Sequence, residues 1–332
     1  MNLSTIICRS PFLWNQSSLE SQRPVLYVCI IATFTHSLFW LQLLFFSSIR
    51  QKSMQWIYAY LATDILLLVR FFFLFIVHTV STDCYPSQFW YTFVMYFEAI
   101  IDNYLNILEV YILLALNICR HVQIAQNRNV YQTNVRWLTM SHLAIYIIPL
   151  IILVIQIPFG WASFRVDEGG VFDIAYTNTY AEVFNVIIAF FLPISLNVII
   201  IYKSVHYIRL TSHLHKNRHQ VSARDKYHRS LVIQFLVFYI IWLLLWAPNV
   251  IIYQFTSGRD LAVFIGQLLN FIEITIDPLI IAGLDIRFYQ VWKKLWIRVK
   301  NRTMRELRVD HRRIAPTIVR TVQQTVHHQY PH

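Results

Sequence analysis

The residues able to do chemistry in this chain are few, and they interrupt stretches that are otherwise apolar. Glu98, Asp102, Asn106 and Glu109 are spaced 4, 4 and 3 residues apart, which on a helix places them on one face. Arg120 follows Asp102 by 18 residues, five turns at about 3.6 residues per turn, so it continues that face at the far end of the helix. Glu273 and Asp277 share a second face at i,i+4 spacing. Asp64 and Arg70 break a third apolar stretch. Such groups can share protons, hold a cation or pair with one another. At membrane depth each is costly enough to be a functional candidate by default. The plainer reading is a polar stripe that merely faces a bundle interior, but three carboxylates on one stripe still require partners or protons.

The elements that must position these residues are long and apolar. Hydrophobic stretches run near 25–49, 56–78, 89–119, 137–159, 181–205, 230–255 and 261–284, each long enough for the roughly 20 residues a membrane helix needs. Hydrophobic types make up 57% of the 332 residues and charged types 14%, against roughly 45–50% and 25% in soluble domains. With 6 glycines in the whole chain, glycine-rich phosphate loops and turn-dense barrels are excluded. The expectation is an all-α membrane protein: a seven-transmembrane helix bundle over 25–284, an N-terminal segment 1–24, an amphipathic surface helix 285–300 and a tail 301–332.

The net charge of +11 is distributed as a topology signal rather than as a nucleic-acid footprint. Of 28 Lys and Arg residues, 23 follow spans one, three, five and seven. By the positive-inside rule, this places the N-terminus outside the cell and the basic tail in the cytoplasm. Residues 1–24 show no cleavable signal sequence. Asn2 and Asn15 head glycosylation sequons on the outer side, while the sequon at Asn301 falls on the inner side. Cys8 and Cys84 are the two cysteines expected outside, where thiols oxidise, which suggests a Cys8–Cys84 disulfide.

Three short motifs then occur in order. Span three ends in Cys119-Arg120-His121, span six carries Trp246-Ala247-Pro248, and span seven carries Asp277-Pro278-Leu279-Ile280-Ile281, followed by Phe288 on an amphipathic segment. With Asp64 and Pro193, this set resembles the rhodopsin-like G-protein-coupled receptors over about 25–300. The resemblance implies that Arg120 holds the inactive state and meets a heterotrimeric G protein. It implies that Trp246 and Pro248 form a toggle and its kink, with Pro193, Asp277 and Pro278 in matching positions. The pattern also departs from the family. Cys119 replaces the acid before the arginine, and His228 stands where many relatives have an acid. Ile281 replaces the tyrosine of the last motif, for which Tyr202 is the nearest substitute, and span one lacks the usual Asn. These changes either raise basal activity or call for a different lock.

The resemblance also implies that Asp64, Glu109, Glu273 and Asp277 converge on the family's sodium site. Four bare carboxylates in low dielectric cannot all stay ionised, so Na⁺ or shared protons are expected there; the alternative is that one or two of the acids point elsewhere as protonated donors. Asp102 matches the aspartate that binds ligand ammonium in amine receptors. Glu98, Asn106, Trp246 and Asn249 complete the expected pocket, and an acidic loop at 160–180 steers cations inward. The ligand expected is a cationic peptide or an amine, the peptide favoured because the outer half of span five has no serine. Arg70, however, could reach Asp102 or Glu98 as an internal ion pair. No cofactor is expected beyond that Na⁺ or those protons. His36 and His142 look isolated, which leaves an enzyme without a constellation, and the alternative function is a proton- or cation-coupled transporter using the carboxylates. Phe288, Trp292, Leu295, Trp296 and Val299 recur at helical spacing opposite Lys293, Lys294 and Arg298, as in a helix lying on the membrane surface.

Overall fold

The structure is a computed structural model. It describes residues 10, 12–47, 49–50, 52–126, 130–133, 135–166, 170–215, 233, 236–249, 260–284 and scattered helical positions over 287–301. Residues 1–281 form one unit and 282–332 a second.

The first unit is a helix bundle. Its helices are α1 (Gln16–Phe45), α2 (Gln55–Val80), α3 (Gln88–Gln126), α4 (Val135–Ile155), α5, α6 (Leu236–Asn249) and α7, which begins at Asp260 and runs to Leu284. Among the described residues, α1 to α5 and α7 are long and apolar enough to cross a membrane, and α6 is a shorter apolar helix. The most buried is α3, so the polar stripe read from its sequence runs through the middle of the bundle. By contrast, α4 buries only Leu138, Pro149 and Leu153 and turns its remaining apolar surface outward, as lipid contact allows.

Among the described residues, the structure departs from an all-α chain at a β-hairpin. Ala162–Val166 (β1) and Phe172–Tyr176 (β2) form an antiparallel hairpin in register Phe164 to Ile174. The burial of Phe172 and Ile174, two residues apart, follows the period of a half-buried strand. This hairpin marks one end of the bundle.

The first helix also begins nine residues before the expected 25. Asn15 caps it, its Oδ1 accepting from the Ser18 N–H at 2.7 Å, which supplies one of the acceptors a helix start lacks. Residues 10–24 are therefore not a loose tail, and Phe12 is fully buried.

Fifth in order, α5 is continuous through Thr179–Val186, a π-turn at Ile187–Phe191 and Leu192–His215. In the π-turn the Leu192 N–H reaches back five residues to the Ile187 carbonyl. The next bond of that register, from residue 193 to Ile188, cannot form because Pro193 has no N–H. The Tyr111 hydroxyl of α3 donates to the Ile188 carbonyl instead, at 2.9 Å. The same logic recurs in α7. Pro278 leaves the Ile274 carbonyl without its i+4 donor, and His36 Nε2 of α1 takes that role at 3.0 Å.

In the second unit the described positions over 287–301 are helical. Phe288 is fully buried, Trp296 is 71% exposed, and Lys293 and Lys294 are exposed. Trp292, Leu295, Arg298, Val299 and the tail lie outside the described residues.

Candidate functional site

The inward-facing polar groups fall into three levels. At the hairpin end, α2 and α3 exchange two pairs. Arg70 Nη1 meets Asp102 Oδ1 at 2.8 Å, with side-chain exposures of 12% and 40%, and Arg70 Nη2 also donates to the Glu98 carbonyl at 2.8 Å. Glu98 is buried, and its carboxyl meets His78 Nε2 at 3.0 Å. Of the two internal partners considered for Arg70, the side-chain charge it pairs with is Asp102. Sequence reading did not find His78, because the i,i+20 relation to Glu98 exists only once α2 and α3 lie antiparallel.

At the middle level, Asn106 Oδ1 accepts from the Trp246 indole N–H at 3.3 Å, and Asn106 Nδ2 is tied to the Asp102 carbonyl. Trp246 stacks on Trp242 one turn away, with centroids 4.7 Å apart, and on Phe190 of the π-turn at 5.9 Å. Tyr239 continues the column below Trp242. Trp242 is completely buried and was missed in the sequence, where an aromatic one turn before Trp246 reads as ordinary core. The partly buried Asn249 lies where α6 and α7 approach closely. A Cβ built on Gly266 would come within 3.1 Å of the Asn249 Cα, so glycine is what permits that approach.

Beneath this column lie Asp64, Glu109, Glu273 and Asp277, all fully buried. Asp64 and Glu109 neighbour each other, as do Glu273 and Asp277, and both oxygens of Asp64 and of Glu109 are buried without a hydrogen-bond partner among the described residues. The Tyr60 hydroxyl of α2 bridges Glu273 and Asp277. A phenol has one proton, so at most one of these carboxyls receives it and the other must itself carry a proton. Donor counting therefore puts at least one proton on the Glu273–Asp277 pair. Among the described residues, no group of three or more His, Cys, Asp or Glu side chains is arranged to hold a metal ion.

His36, which looked isolated, is part of this level: its Nε2 lies 3.7 Å from Asp64 Oδ2. Because the Ile274 carbonyl can only accept, Nε2 carries the proton. His36 of α1 thus reaches both Asp64 of α2 and Ile274 of α7. The neighbouring Thr35 hydroxyl donates to the Thr275 carbonyl at 3.0 Å. His142 is not isolated either; it stacks on Trp56 at 3.7 Å and bonds Gln55.

At the opposite end Arg120 is buried at 9% exposure. Its charge bears on Tyr131, a residue 2% exposed in the single helical turn Val130–Thr133. Burial pushes the Tyr131 hydroxyl up from its ordinary value, and the Arg120 guanidinium opposes that shift. His121 Nδ1 and the Ser204 hydroxyl of α5 are 3.0 Å apart. Tyr202 lies at this end of α5 but faces outward: it is 69% exposed and stacks on His206 along its own helix. His228 lies outside the described residues. Cys84 is disulfide-bonded, Cys29 and Cys119 are free, and Cys8 and Asn2 lie outside the described residues.

No protein-family model matches the chain, and no curated protein matches it in sequence. Among solved structures it is similar to the crystal structure of squid rhodopsin, at 12% identity over 86% of this chain and 87% of that one, with a TM-score of 0.65. At that identity the likeness is one of fold, and it extends over most of the chain.

Proposed function

We propose that this chain is a divergent rhodopsin-like receptor of the plasma membrane. In this reading it receives an extracellular ligand at the hairpin end and passes the signal to a heterotrimeric G protein at the Arg120 end. The N-terminus is extracellular and the basic tail cytoplasmic, in accord with the distribution of Lys and Arg. The observation that carries the proposal is the unbroken column from Phe190 through Trp246, Trp242 and Tyr239. It runs from Phe190 of α5 along α6, whose Pro248 supplies a kink, and the adjoining Phe238 of α6 meets the Tyr60 ring that bridges Glu273 and Asp277. A ligand that fits one rotameric state of Trp246 better than another shifts α6 between two positions, and acts only through that difference in affinity. Arg120, held beside Tyr131 in place of the missing acid, is the group released toward the G protein, while Pro193 and Pro278 set the backbone contacts that let α5 and α7 repack.

The ligand is a peptide rather than a small amine. Arg70 already neutralises Asp102, which removes the free carboxylate an ammonium would need. A cationic character for the peptide rests on Asp173 and the acidic loop residues around it. The acid cluster of Asp64, Glu109, Glu273 and Asp277 holds protons rather than Na⁺ in this reading, because four fully buried carboxyls meet one another and a single phenol, and bare charges there would repel.

The test is expression with a second-messenger readout, first for basal signalling and then against peptide and amine libraries, with Arg120→Ala as the control. Signalling that Arg120→Ala abolishes while surface expression persists supports the receptor. Solute uptake or a proton current with no second-messenger response would replace it with a carrier. Potency that varies with pH and not with sodium supports the protonated cluster, and the reverse would restore the cation.

A further inference from the structure

Within the N-terminal segment 1–24, Ser10 and Phe12 are buried at the hairpin end. The Phe12 ring is fully buried among Leu74 of α2, Val94 and Ile100 of α3, and Phe172 of β2. Its centroid lies 5.7 Å from Tyr91 and 6.3 Å from Phe172. The backbone is held as firmly as the ring. His78 Nδ1 bonds the Phe12 carbonyl, the Trp14 N–H donates to the His78 carbonyl at 3.4 Å, and the Ser10 and Ser81 hydroxyls are 3.1 Å apart. Trp14 lies flat on the His78 imidazole, with centroids 4.6 Å apart and planes within 8°.

His78 is the centre of this arrangement, and its chemistry is constrained on both sides. The Phe12 carbonyl can only accept, so Nδ1 carries a proton. On the other side Nε2 and Glu98 Oε2 share one proton at 3.0 Å. Arg70, held by Asp102, donates to the backbone carbonyl of the same Glu98. A buried imidazole with Nδ1–H aimed at a backbone carbonyl, beneath an aromatic slot, is a receptor for a peptide unit. A lipid or an amine offers no carbonyl in that relation to an aromatic ring.

We infer that the hairpin-end pocket is a binding site for a short aromatic peptide segment, and that the chain's own Ser10–Trp14 occupies it in cis. Any ligand in trans must displace that segment or reproduce it, placing an aromatic side chain in the Phe12 slot and a carbonyl on His78. This deepens the proposed function and rests on it for the meaning of ligand, while the occupancy itself can be tested without any signalling readout.

The experiment uses the full-length chain purified in detergent and a fluorescent peptide of sequence Ser-Pro-Phe-Leu-Trp, blocked at both ends. A variant carrying Phe12→Ala and Trp14→Ala vacates the site. The vacated variant is expected to bind the probe saturably and at least tenfold more tightly than the wild type, whose site is filled. Adding His78→Phe abolishes that binding, and a probe with Ala for Phe does not bind. Thermal unfolding provides the second measurement: Phe12→Ala alone lowers the melting temperature by roughly 5–10 °C, and the probe restores part of the loss. Equal binding to wild type and vacated variant would overturn the inference, as would no binding to a vacated variant that still melts cooperatively. Probe binding without any second-messenger response in cells would count against the receptor reading and leave the occupancy standing.

Discussion

Helix α3 carries two acidic regions three turns apart that share residue types and differ in everything else. At the hairpin end, Glu98 and Asp102 each face a basic group, His78 and Arg70 respectively. In the middle of the bundle, Glu109 faces Asp64 while Glu273 and Asp277 face Tyr60, and the one basic residue nearby, His36, has its proton on a backbone carbonyl. In the upper region each acid meets a basic side chain; in the lower the acids meet one another and a phenol. A carboxyl's role here is set by what the neighbouring helix presents to it, and not by its position on its own helix.

The sharpest way to break this comparison is to remove one partner of the upper buried pair. His78→Ala leaves Glu98 buried and alone, which is expected to cost about 3–5 kcal/mol in thermal unfolding of the purified protein. The double variant with Glu98→Ala should recover much of that loss. If single and double variants melt alike, the two side chains are not energetically paired.

The lower cluster should behave in the opposite way. Glu273→Gln and Asp277→Asn keep the hydrogen bonds of protonated acids, so each should change stability by less than about 1 kcal/mol. Tyr60→Phe removes the bridging phenol and should cost about 1–3 kcal/mol. A loss on both amide substitutions larger than that on Tyr60→Phe would show that the cluster is held by charge after all.

Smaller effects sharpen the boundary of the upper region. Arg70→Met breaks a pair whose Asp102 side is two-fifths exposed, and solvent screening limits the expected cost to about 1 kcal/mol. Asn15→Ala removes the cap of α1, for a loss of about 0.5–1 kcal/mol. Asn15→Asp keeps the capping oxygen and deletes the sequon. A gel-mobility shift in Asn15→Asp with unchanged melting would separate the two roles.

Much of this was legible in the sequence because it depends on periodicity along one helix. The stripe of Glu98, Asp102, Asn106 and Glu109, the facing pair Glu273 and Asp277, and most span boundaries follow from 3.6 residues per turn and the length needed to cross a bilayer. The early start of α1 was not legible, because a Ser- and Gln-rich turn looks like a tail until Asn15 is seen to cap it. The β-hairpin was missed for a related reason: each of its strands is only five residues and gains its buried face from Phe12 and α3.

By itself, then, the sequence determined the solvent, the spans and which residues would face inward, since lipid leaves an intramembrane acid little choice of side. Only the tertiary structure decided the partners. Whether Arg70 took Asp102, whether His78 met Glu98 and whether His36 reached the carbonyl freed by Pro278 depend on the rotation and depth of one helix against another. Those are fixed by packing among side chains far apart in sequence.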